Sequence, residues 1–137
     1  MSDINSWNAK IIEDFRANSG KAGGQFAGVP LLLLHSTGAR SGVERINPLA
    51  YQAMGASIAI FASKAGADTH PDWYHNVIAH PAVTAEVGTA TRSFRARIAM
   101  GAERETIWIK QKKDYPGFAD YEAKTAREIP VIILDPV

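Results

Sequence analysis

Apolar residues near the start of the chain recur at three- and four-residue spacing. Ile4, Trp7, Ile11 and Phe15, with Ile12 beside them, predict an amphipathic helix. Ser2 or Asp3 is placed to cap it and Gly20 to stop it. Such a stripe packs on a core. The alternative, a membrane-surface anchor, is disfavoured by the mixed signs of Lys10, Glu13, Asp14 and Arg16. A glycine-rich linker, Gly20 to Gly28, separates this helix from the rest.

Beyond the linker the pattern changes period. Leu31 to Leu34 is a continuous apolar run, as in a strand buried on both faces. Leu49, Tyr51 and Ala53 alternate with other residues, and Gly55-Ala56 turns the chain into Ile58, Ile60 and Ala62, with Phe61 on the opposite face. That is a hairpin. A short helix opens with Pro71 in its first turn and ends at Ala79-His80-Pro81. Val83–Val87 and Phe94–Met100 predict a second hairpin, with Phe94, Ala96, Ile98 and Met100 facing one way and Arg95 and Arg97 the other. Glu103–Lys113 reads as helix, Tyr115-Pro116-Gly117 as a break, Phe118–Arg127 as resumed helix, and Ile129–Leu134 as a closing strand. Strands arriving as neighbouring hairpins predict a mostly antiparallel sheet or barrel of five or six strands with covering helices, an α+β class.

The length, 137 residues, suits one domain spanning the chain. The 46% apolar and 21% charged residues suit a globular protein. The absence of cysteine excludes thiol catalysis, disulfides and thiolate metal sites. A formal charge of +1 argues against non-specific nucleic-acid binding, and Arg92, Arg95 and Arg97 read better as a solvated strand face. No signal peptide or bilayer-length apolar run is present, so a cytoplasmic protein is expected.

Three stretches carry candidate chemistry. His35 to Arg45 lies between strands. Its two glycines allow amides to converge on an anion, Ser36, Thr37 and Ser41 add hydroxyls, and Arg40 and Arg45 can grip a phosphate or carboxylate. The GK[ST] ending of a Walker loop is missing. Ala62 to Asn76 runs from a strand end into a helix N-terminus, a second anion-friendly feature, with Lys64 adding a full charge. Two such loops point to an extended anionic ligand between them. His70, His75 and His80 are spaced by five, so on a helix neighbours diverge by roughly 140° and no metal site is expected. Tyr115, Phe118 and Tyr121 recur every third residue and share a side; they form either core packing or a ring-lined pocket for a flat ligand.

Taken together, these stretches resemble the deazaflavin (coenzyme F420)-dependent nitroreductase family of actinobacteria. The marks are Thr37-Gly38-Ala39-Arg40-Ser41-Gly42 with Arg45 and Pro48-Leu49, then Ala62-Ser63-Lys64-Ala65-Gly66, His70-Pro71-Asp72-Trp73-Tyr74-His75-Asn76, and Tyr115-Pro116-Gly117-Phe118-Ala119-Asp120-Tyr121 with Ile129-Pro130-Val131. The resemblance implies a split β-barrel related to flavin-binding oxidases. It implies that Ala39, Arg40, Ser41, Arg45, Ile46, Asn47, Pro48, Leu49 and Ala50 contact the cofactor, the basic side chains holding its phosphate and oligoglutamate tail. Phe61, Ala62, Ser63 and Lys64, with Asp72, Trp73, Tyr74, His75 and Asn76, would line the deazaflavin and its ribityl chain. The segment around Phe118 would form the acceptor side. Phe118 stands where nitroimidazole-activating members carry tyrosine, so a hydroxyl is missing there.

The implied activity is hydride delivery from reduced F420 to a small organic acceptor: a quinone, an unsaturated lactone or enone, or a nitro compound. The proton comes from Ser63, Tyr115, Tyr121 or water, among which the sequence does not choose. The rival readings are a split-barrel oxidoreductase using FMN and a non-catalytic F420-binding protein. Related barrels often pair, which admits a homodimer, and membrane association without an integral segment stays open.

Overall fold

The computed structural model describes residues 3–18 and 30–137. The expected capping residue Ser2, the Gly20 stop and the Gly20–Gly28 linker lie outside the described residues, as do the side chains of Ile4 and Trp7. Helix α1 spans Asp3–Ala17. Among the described residues six strands follow: β1 Leu31–Thr37, β2 Glu44–Met54, β3 Ser57–Phe61, β4 Ala82–Val87, β5 Ala90–Ile98 and β6 Val131–Pro136. Helix α2, Asp72–Ala79, separates β3 from β4. Helices α3, Gly101–Asp114, and α4, Gly117–Ala123, separate β5 from β6.

The strands close into a barrel in the order β1-β2-β3-β6-β5-β4, with every neighbouring pair antiparallel. The two expected hairpins are β2–β3 and β4–β5. Their two-residue turns begin at Gly55 (φ 67°) and Gly88 (φ 61°), the left-handed first position that matches strand twist. The barrel closes because β6 slots between β3 and β5, Ile60 facing Ile132 and Ala96 facing Leu134. Closure leaves no unpaired edge among the described strands.

Alternation along each strand divides the core into an inner and an outer layer. Leu32, Leu34, Ile58, Ile60, Ala85, Phe94, Ile132 and Leu134 fill the barrel, and α2 adds Trp73 and Val77 to the same cluster. A closed barrel admits a helix only at its mouth, so α2 is a plug. Outside, Leu31 and Leu33 receive Ile11 and Phe15 of α1. Ala59, Phe61, Val131 and Ile133 receive Ile107 and Trp108 of α3. The two-sided burial expected of Leu31–Leu34 is therefore literal: helix on one face, barrel interior on the other.

Several sequence expectations are corrected. Pro71 precedes α2 as its N-cap rather than opening its first turn. The second hairpin's return strand starts at Ala90 rather than Phe94, because it pairs with β4 as far as the Gly88 turn. Of the face Phe94, Ala96, Ile98 and Met100, only Phe94 is buried. Ile98 and Met100 are 42% and 75% exposed as the chain leaves the barrel. The helix expected over Phe118–Arg127 ends at Ala123, where amides of Lys124 and Thr125 bond three residues back, to Tyr121 and Glu122. The closing strand starts at Val131 rather than Ile129. The stretch expected as a loop from His35 to Arg45 is strand at both ends, leaving only 38–43 as the turn, because β1 and β2 stay paired out to Thr37 and Glu44.

Candidate cofactor cleft

A cleft of about 1090 Å³ opens where the β1–β2 turn, the start of β2, the plug helix and α1 meet. The turn supplies Ala39, Arg40 and Ser41, β2 supplies Glu44, Arg45, Ile46 and Asn47, and α2 supplies Asp72, Trp73, His75 and Asn76. Ala9 and Ile12 of α1 complete the wall. Arg40 and Arg45 are exposed and neither has an ion-pair partner among the described residues. Two carboxylates share the lining, Glu44 and Asp72, and Glu44 faces His35 Nδ1 at 3.5 Å. The free cationic groups and the α2 N-terminus fit an anionic ligand of cofactor size.

The turn is more fully occupied than an open anion nest. The Gly38 amide donates to the Val43 carbonyl at 2.8 Å, the Gly42 amide to Gly38 at 3.0 Å, and the Val43 amide to Ser41 Oγ at 3.2 Å. The Ala39 amide donates to Asn76 Oδ1 at 2.9 Å. Asn76 is 7% exposed and its amide nitrogen also donates to buried Ser36 Oγ at 3.4 Å. Asn76 therefore latches the turn onto α2, and the amides left for a ligand are those of Arg40 and Ser41.

The rest of the expected β2 contacts divide by strand alternation. Leu49 packs into the barrel, Ala50 packs under α1, and Pro48 is half-buried. Tyr74 also packs on the barrel interior, its ring 4.5 Å from that of His70.

The second stretch curls into a 3-10 turn at Lys64–Gly66, with Lys64 at φ 47° and its ammonium donating to Thr69 Oγ1 at 3.2 Å. Ala62 is buried in the barrel and Ser63 is half-buried. One distant side chain organises the curl. Arg127 donates to the carbonyls of Ala62 (3.1 Å), Ser63 (2.9 Å) and Ala67 (2.8 Å), and to His70 Nδ1 (3.0 Å). Burial, then the Arg127 charge, then His75, push the His70 imidazole below its ordinary pKa, and because a guanidinium only donates, Nδ1 is the acceptor in the Arg127 bond. Sequence reasoning missed Arg127. It lies 57 to 65 positions from its partners in a stretch expected to be helix, and no local pattern marks it.

The aromatic segment sits against the outer layer. The Phe118 ring is 5.5 Å from Phe61, 6.2 Å from Trp108 and 5.4 Å from Tyr121. Tyr115 is half-buried and closes α3, its amide donating to Gln111. Gly66 (φ 84°) brings the second stretch against α4: a Cβ there would lie 2.8 Å from the Tyr121 carbonyl. Thus the structure brings together the first stretch and the α2 start around the cleft. It fastens the Ser63–Lys64 curl to the aromatic segment, and none of Phe61, Ser63, Lys64, Tyr115, Phe118 and Tyr121 lines the cleft itself.

Comparison with known proteins decides the family. The F420H(2)-dependent quinone reductases match residues 7–136. The chain belongs to that family. A quinone reductase of Mycobacterium tuberculosis dependent on F420H(2) is 33% identical over 124 residues, covering 88% of this chain and 83% of the relative. Among solved structures, an F420-H2 dependent reductase (FDR-A) shares 40% identity with a TM-score of 0.71, over 77% of this chain and 94% of its own. A domain-swapped dimer shares 34% identity with a TM-score of 0.73, over 97% and 98%. The quinone-reductase match runs through the cleft, the Arg127 curl and the aromatic segment alike.

Proposed function

We propose that this chain is an F420H2-dependent reductase that passes hydride to a small organic acceptor, with quinones the leading class. The family match over nearly the whole chain carries the reading. The cleft supports it, since Arg40 and Arg45 stand free at its edge beside the α2 N-terminus. When bound, the reduced deazaflavin supplies the hydride; the protein supplies binding, orientation and protons.

In this reading Arg40 and Arg45 hold the anionic tail, and Ala39, Ser41, Ile46, Asn47, Asp72, Trp73, His75 and Asn76 line its path. Ser63 and Lys64, with Phe61 and Ala62 beneath them, shape the ring end. Phe118 and Tyr121 border the acceptor. Ser63, Tyr115 and Tyr121 each carry a hydroxyl that can deliver the completing proton, and water is the alternative. With phenylalanine at 118, one hydroxyl fewer is available to a polar acceptor, which favours acceptors bound by stacking. Among the described residues no helix is long and apolar enough to cross a membrane. We place the protein in the cytoplasm, and the domain-swapped neighbour supports a two-chain assembly.

The deciding experiment titrates the purified protein with F420 and with FMN, following cofactor fluorescence. It then supplies F420H2 with menadione, an unsaturated lactone and a nitroimidazole. Binding of F420 with menadione turnover is expected. Tight binding without turnover on any acceptor would leave a cofactor-binding protein instead. Failure to bind F420 would remove the reading.

A further inference from the structure

We propose that Arg127 is the positioning residue that shapes the Ser63–His70 segment for cofactor binding. This rests on the reading above, which puts Ser63 and Lys64 at the ring end of the cofactor. The guanidinium is the hub of the curl. It donates to three backbone carbonyls, Ala62, Ser63 and Ala67, and to one imidazole nitrogen, all within 3.1 Å. The segment's own bonds are few: Gly66 amide to Ser63 carbonyl at 2.9 Å, Ala67 amide to Lys64 carbonyl at 3.1 Å, and the exposed Lys64 ammonium to Thr69 Oγ1 at 3.2 Å. Between those bonds Lys64 adopts φ 47°, a backbone state that non-glycine residues hold only when their surroundings impose it.

The imposing group is Arg127. Three carbonyl oxygens that converge on one another repel, and a planar cation with five donors turns that repulsion into a cradle. A lysine has a point charge and cannot span the same fork. Its own position is secured from the other side: the Arg127 amide donates to Thr125 Oγ1 at 3.3 Å, just after α4. Arg127 therefore ties the segment that follows the aromatic stripe to the segment that carries Ser63 and Lys64. It also holds His70 Nδ1 as an acceptor, which puts that ring's proton on Nε2.

The test compares Arg127→Gln, Arg127→Lys and Arg127→Ala in the full chain, reading F420 affinity by fluorescence and the separate kcat and KM for F420H2 with menadione. Thermal midpoints check folding. Arg127→Gln is expected to weaken F420 binding at least tenfold and to raise the F420H2 KM in step, leaving the menadione KM unchanged. Arg127→Lys, which keeps stem and charge, is expected to fall between it and the parent. Millimolar methylguanidinium is expected to restore part of the affinity of Arg127→Ala. A purely structural role would lower the folded fraction, hence apparent kcat, and leave KM where it was. Unchanged affinity and KM in folded Arg127→Lys or Arg127→Gln would overturn the proposal, whereas an F420-blind parent protein would overturn the function beneath it.

Discussion

Asn76 and Gly66 do their work at close range. Asn76 spends its carbonyl on the Ala39 amide and its nitrogen on Ser36, so it holds the β1–β2 turn against the plug helix. Asn76→Ala is expected to cost about 1 kcal/mol of stability, the scale of one net hydrogen bond. Because the turn then samples other positions, F420 affinity is expected to fall about fivefold, equivalent to about 1 kcal/mol. Urea unfolding and fluorescence titration read the two effects separately. Gly66 combines φ 84° with a Tyr121 carbonyl 2.8 Å from where a Cβ would stand. Gly66→Ala is therefore expected to destabilise by about 2 kcal/mol, through strain and a backbone clash together. A urea midpoint within error of the parent would show that the turn relaxes freely.

Helix α1 is docked by an apolar face and an ionic clamp. Arg16 makes a two-pronged contact to Glu86 at 3.0 and 2.7 Å, and His35 Nε2 meets the same carboxylate at 2.6 Å. Arg16 foremost, then His35, hold the Glu86 carboxyl below its ordinary pKa, against an opposing push from burial. A depressed carboxylate stabilises the fold above its unfolded pKa, and that stabilisation disappears as pH falls through the folded value. The pair is half open to solvent on the arginine side, so its worth is roughly 0.5–1 kcal/mol. The stability gap between parent and Glu86→Gln is expected to close as pH falls below the unfolded carboxyl value of 4.5 and through the lower folded value. No gap at neutral pH would assign α1 docking to packing alone.

The barrel and its helical coat share strands, so neighbouring residues serve different layers of the molecule. Leu33 lies under α1 and Leu34 lies in the barrel interior, and both are fully buried. Leu33→Ala and Leu34→Ala are each expected to cost about 2–5 kcal/mol, as for a buried leucine losing its side chain. In an ordinary one-sided sheet one of the two would be nearly silent. Denaturant titration of both variants checks this; a silent Leu33→Ala would mean that α1 does not stay on the barrel. Closure also makes the site a composite, since the plug helix, the β1–β2 turn and α1 reach one cleft only because β1 and β4 pair around the back.

Local chemistry in the sequence was enough to locate most of the elements. The apolar run Leu31–Leu34 demands two buried faces, Gly55 and Gly88 allow two-residue turns, and the Pro116-Gly117 break divides the last helices. The same reading picked out Arg40 and Arg45, because strand-turn-strand joints are where backbone and side-chain donors collect, whereas Asn76 came from the family resemblance. Strand ends were less legible: β1 and β2 extend into the stretch expected as loop, because pairing partners rather than composition decide where a strand stops. Ile98 and Met100 keep the apolar alternation of β5 yet stand exposed, since alternation gives the face and not the depth at which the barrel ends. What only the tertiary structure decided is which donors remain free and which are spent. Asn76 looks like a ligand contact in sequence; it lines the cleft and also latches the turn to the plug helix. Arg127 looks like a surface residue of a helix and is instead the hub of a segment some sixty positions away. A hydrogen bond across that separation leaves no periodicity in the chain, because it depends on the closure of the barrel that brings its two ends together.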